Sequence, residues 1–139
     1  QSNATTTWAD IGGLAFSVAA NTTYCFMFDV IFQSTVAGTG IGFGVNGPAA
    51  PTSVVAIASI TQSLAGIVQM YSTRAYSTGA GTGQTTSSID TANVDSPAHI
   101  TGVLVNGANA GTLSLAFRAE NANAVSVHIG SVGIIQEIA

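Results

Sequence analysis

Residues 24–48 read YCFMFDVIFQSTVAGTGIGFGVNGP, and the alternation of side chains in this stretch decides the fold. Positions 24, 26, 28, 30 and 32 are Tyr, Phe, Phe, Val and Phe, an apolar set at strict period two. The intervening set, Cys25, Met27, Asp29, Ile31 and Gln33, is mixed. Successive side chains of a strand point to opposite faces. The segment therefore reads as a central strand with one face in a core and the other half covered. Its aromatic crowding marks the inner wall of a small β-protein and not a membrane segment, because no run of about 18 apolar residues occurs anywhere in the chain.

The same rhythm continues downstream. In GIGFGVN (40–46), Ile41, Phe43 and Val45 alternate with Gly40, Gly42 and Gly44. A strand face without side chains needs something to approach its backbone closely, either a neighbouring sheet or ring of this chain or a second subunit. The three glycines are therefore candidate contact positions. SVVAIASIT (53–61), GIVQMYSTRAYS (66–77), AHITGVLVN (98–106), GTLSLAFRAE (111–120) and AVSVHIG (124–130) are further strand segments bounded by Gly, Asn or Pro. LAFSV (14–18) and SVGIIQE (131–137) add one at each end. A short loop over 121–123 is expected to bring Leu113, Leu115 and Phe117 onto one face with Val125, Val127 and Ile129. No helical period runs for any length. The expected fold is all-β, an antiparallel β-sandwich of jelly-roll type with eight or nine short strands.

Composition limits the partners. The 139 residues suffice for one domain with its own core. QSNA (1–4) is set aside as a remnant of an expression tag, leaving 5–139 as a single sandwich domain. Charged residues make up only 6% of the chain, against roughly 25% in ordinary globular domains. With a net charge of −4 and two basic residues, Arg74 and Arg118, nucleic acid is not an expected partner. So few charges leave little to keep copies apart, so a homo-oligomer is expected, with a trimer favoured. Cys25 is the single cysteine, so no intrachain disulfide forms.

One segment breaks the alternation. STGAGTGQTTSSIDTANVDSP (77–97) offers only Ile89 and Val94 as anchors and reads as a long loop. Asp90, Asn93 and Asp95 place oxygen donors close together, yet the D-x-x-N-x-D order lacks the remaining carboxylate of a calcium loop, and Asx turns account for these residue types. No metal or other cofactor is expected. Catalytic signatures are equally sparse. The six carboxylates, Asp10, Asp29, Asp90, Asp95, Glu120 and Glu137, are scattered, and no phosphate loop, CxxC or HExxH occurs. Asp29 is the most unusual charge, flanked by apolar residues; either it pairs with Arg118 or Arg74 across strands or its face is solvated, and a structural pairing is expected ahead of a catalytic role. Non-enzymatic function is expected throughout.

The segments YCFMFDVIFQSTVAGTGIGFGVNGPAAP, GVLVNGANAGTLSLAFRAE and AVSVHIGSVGIIQEI resemble a recurring small β-domain of tailed-phage structural proteins. The similarity spans roughly residues 14–139. It implies a virion location and a structural role in a tail, fibre or head decoration, with other virion proteins as partners. The alternative is a carbohydrate-binding module in which Trp8, Tyr71 or Tyr76 stacks on sugar rings of a host surface glycan, beside Asn and Asp acceptors. An exposed aromatic cluster would favour the module; buried aromatics would favour assembly.

Overall fold

A computed structural model of the chain describes residues 1–61, 68–73, 82–85 and 89–138. Its regular elements are strands: β1 (Ser2–Asn3), β2 (Ala9–Val18), β3 (Thr23–Ser34), β4 (Ile41–Asn46), β5 (Ser53–Thr61), β6 (Val68–Thr73), β7 (Thr82–Thr85), β8 (Ser96–Val105), β9 (Gly111–Ala119), β10 (Val125–Val127) and β11 (Val132–Glu137). They form two antiparallel sheets. The smaller has the order β2-β9-β4-β7; the larger runs β1-β10-β3-β8-β5-β6, with β11 also pairing β3. Counting β2 to β9 as eight successive strands, the first, eighth, third and sixth make one sheet and the second, seventh, fourth and fifth the other. That is the jelly-roll arrangement, in which every connection except β5 to β6 crosses between sheets.

β3 is the hinge of this architecture. Tyr24, Phe26, Phe28, Val30, Phe32 and Ser34 are all buried, while Asp29 is exposed and its outward neighbours are half covered. The apolar set packs against the opposite sheet: Phe16 of β2 stacks on Phe28 with ring centroids 5.7 Å apart, and Phe43 of β4 meets Phe32 edge-on at 5.8 Å. Each such pair contributes roughly 0.5–1.5 kcal/mol beyond the apolar area it buries. The rings need notches. A Cβ added to Gly102 of β8 would run into the Val55 carbonyl oxygen and the tip of the Phe26 ring, and one added to Gly133 of β11 would lie 2.8 Å from both Phe16 and Phe28.

Several expectations change in three dimensions. Eleven strands are present among the described residues, against the eight or nine read from the sequence. One of the additions, β7, lies within 77–97; four residues without an apolar stripe pair with β4, Thr82 opposite Val45 and Thr85 opposite Gly42. Ile89 in the same segment is buried, and its carbonyl accepts from Gly38 N–H at 2.8 Å. The other addition, β1, lies in the tetrapeptide left out of the sequence reading. It pairs with β10, and the Gln1 side chain bridges Asp10 O and Gly12 N–H at the bulge of β2.

The expected pairing of β9 with β10 does not form. The 121–123 loop carries the chain from one sheet to the other, so Leu113, Leu115 and Phe117 face Val125 and Val127 across the core. Ile129, expected beside them, is fully exposed at 100% because β10 ends at Val127.

Two substitutions test this packing. Phe28→Ala removes a fully buried ring and is expected to cost about 3–5 kcal/mol. Gly102→Ala adds one methyl where backbone already sits, and is expected to destabilise by about 1–3 kcal/mol. Urea denaturation followed by circular dichroism measures both, and an unchanged midpoint for either would contradict the assigned inner face.

Candidate functional site

The outward face of the larger sheet is an extended surface whose residue types the core does not explain. Strand register arranges it in rows. The first row is Val132, Asp29, His99 and Ser59 across β11, β3, β8 and β5; the second is Ile134, Met27, Thr101 and Ile57; the third is Gln136, Cys25, Val103 and Val55. Val55, Ile57, Val103, Val132 and Ile134 are between 39% and 52% exposed. On an isolated chain this is a band of branched aliphatic side chains facing water.

The band carries one ion pair. His99 Nδ1 lies 2.6 Å from Asp29 Oδ1, directly across the β3–β8 ladder. The structure therefore corrects the expected pairing of Asp29 with an arginine. Arg118 instead lies 4.9 Å over the Trp8 ring, on the opposite sheet, and Arg74 lies outside the described residues. The sequence signal for His99 was available: it stands opposite Asp29 once β3 and β8 are aligned, but neither segment fixes that alignment alone.

Beside this pair runs an open groove of about 450 Å³. Its lining includes Asp29, His99, Ser59, Thr61, Ile31 and Pro97. Ser59, His99 and Asp29 thus stand side by side, residue types that elsewhere make a hydrolytic triad. The required contact is missing, because no hydrogen bond joins Ser59 to His99. β3, β8 and β5 are each flanked on both sides, and Ile31 N–H, where β10 and β11 leave a gap beside β3, donates to Ser131 Oγ at 3.0 Å.

A second pair closes the far end of the sheet. His128 Nδ1 is 3.0 Å from Asp95 Oδ1, which also accepts from Gln33 Nε2 at 2.9 Å. Asp95 is therefore turned toward β3 and β10. Asn93 adopts a left-handed conformation, φ 58°, and its N–H donates to Ser34 O at 2.8 Å, as an Asx-rich turn does. Asp90 is exposed. Among the described residues no three His, Cys, Asp or Glu side chains come together as a metal site would need.

The remaining candidates fall elsewhere. Gly40, Gly42 and Gly44 are buried within the single chain; Gly44 stands between Ala116 of β9 and Gly83 of β7. Tyr71 belongs to β6, and Tyr76 lies outside the described residues. Of the other aromatics, Tyr24, Phe26, Phe28, Phe32, Phe43 and Phe117 are buried, Phe16 packs against the core, and Trp8 is half-buried beneath Arg118. None of these eight aromatics offers a fully exposed platform for stacking.

No protein-family model, curated protein sequence or solved structure matches the chain.

The Asp29–His99 pair is close to half exposed, with side-chain accessibilities of 51% and 44%. Solvent screening limits such pairs to about 0–1 kcal/mol. Asp29→Asn is therefore expected to move the urea midpoint of the isolated subunit by no more than that allows. A loss above about 2 kcal/mol would show that the pair supports the fold and is not a surface feature.

Proposed function

We propose that the chain is a non-enzymatic structural module that works by associating with further copies of itself, as a component of a phage virion of the tail, fibre or capsid-decoration type. The observation that carries the associating role is the aliphatic outer face of the larger sheet. Each outward residue covers about 33 Å² of sheet, from a strand spacing of about 4.8 Å and a two-residue rise of about 6.8 Å. Twelve positions in three rows then make a face of about 400 Å²; its seven apolar positions, Val55, Ile57, Val103, Val132, Ile134, Met27 and Cys25, account for about 230 Å² of it. The virion setting rests on the resemblance of residues 14–139 to tailed-phage β-domains, since a jelly roll by itself serves many functions.

The glycan-binding alternative is less well supported. It needs an exposed aromatic beside free polar groups, and Trp8, which is half-buried, lies under the Arg118 guanidinium.

Association through such a face depends little on charge. Light scattering at low salt and at 1 M salt is expected to give the same oligomeric mass, although the Debye length falls to about 3 Å in the second buffer. A monomer at micromolar concentration in both buffers would refute the associating role. Dissociation by salt alone would place the contact on charged groups instead.

A further inference from the structure

We infer that β11 is the strand through which two copies join, edge to edge about a two-fold axis through Ile134, so that the larger sheets of both copies become one. This names the contact within the associating role proposed above and rests on that reading.

The far side of β11 is an open edge. β11 pairs only with β3, and among the described residues no other hydrogen bond reaches its far side. The ladder also fixes which groups are free. Ile138 N–H donates to Thr23 O at 2.9 Å, one step beyond the Glu137–Tyr24 pair, so Ile138 faces β3. Alternation along an antiparallel ladder then turns Gln136, Ile134 and Val132 toward β3 and leaves the N–H and C=O of Gly133, Ile135 and Glu137 pointing outward. Exposed edges are ordinarily guarded by lysine, proline or a bulge. β2 has its bulge between Asp10 and Ala15. β11 has none of these: its register with β3 is unbroken, and its one charge, Glu137, stands at the end.

A second copy of β11 fits this edge. With the axis normal to the sheet, partner residues must share a face, so their numbers must have the same parity. Centring on Ile134 pairs Gly133 with Ile135, twice over by symmetry, and each of these pairs exchanges two backbone hydrogen bonds. Ile134 meets its own counterpart at a pair that is not hydrogen-bonded, and Val132 meets Gln136. The only carboxylates on the strand, the two Glu137 side chains, then lie at opposite ends of the junction. The outward faces of the two larger sheets then become continuous across the junction. The subunit number is then even, where the sequence favours a trimer.

Disulfide trapping tests the register. At a pair that is not hydrogen-bonded the Cα atoms stand about 4.5 Å apart, within disulfide range. In a Cys25→Ser background, Ile134→Cys is expected to give a covalent dimer on mild oxidation at least tenfold faster than Ile129→Cys, which is fully exposed and reports collision alone. A mixture of Val132→Cys and Gln136→Cys chains is expected to cross-link to each other in preference to themselves. If Ile134→Cys is no faster than Ile129→Cys while the parent protein is oligomeric by light scattering, the β11 contact is wrong and the associating role stands. A monomeric parent protein overturns both. Rapid trapping at Ile134 without the Val132–Gln136 preference overturns the register about Ile134.

Discussion

Because side chains alternate along a strand, β3 must bury Tyr24, Phe26, Phe28, Val30 and Phe32 together or expose them together. Exposure would put five large apolar groups in water at roughly 1.5–3 kcal/mol each, so the choice is made. Everything else accommodates it. The opposite sheet supplies Phe16 and Phe43 as partners for Phe28 and Phe32. β8 and β11 give up their side chains at Gly102 and Gly133 to make room for the rings. The strand at the centre of the larger sheet is thus also the one that sets the spacing between the two layers.

The same alternation creates the surface that remains. A strand with a wholly apolar inner face could carry a charged outer face, yet Cys25, Met27 and Ile31 alternate with a single carboxylate. β5, β8 and β11 repeat the choice with Val55, Ile57, Val103, Val132 and Ile134. The His99–Asp29 pair sits among them as a polar mark that adds little stability, since an exposed pair is worth little. An apolar face beside an unguarded edge strand is hazardous for a protein meant to stay alone and useful for one that assembles. That contrast is what supports the associating role proposed for this chain.

What the sequence by itself determined follows from local physics. The β class, the limits of β5 at residues 53–61 and the inward set of β3 depend only on period two and on bounding Gly, Asn and Pro, which act within a few residues. The two-layer sandwich followed from the number of such segments. What only the tertiary structure decided depends on which strands become neighbours. β7 has no apolar stripe and exists because β4 offers it an edge. β9 and β10 look like a hairpin in sequence, yet they lie in opposite sheets, because burying two apolar faces against each other satisfies both as well as pairing would. The partner of Asp29 was fixed by the β3–β8 register, seventy residues apart in the chain, and a one-residue slip would have placed Ala98 or Ile100 opposite it instead. Gly133 reads as an ordinary strand glycine until Phe16 and Phe28 are seen beneath it. Alternation along one strand is a local property; register, sheet membership and an open edge belong to pairs of strands, and only folding brings those pairs together.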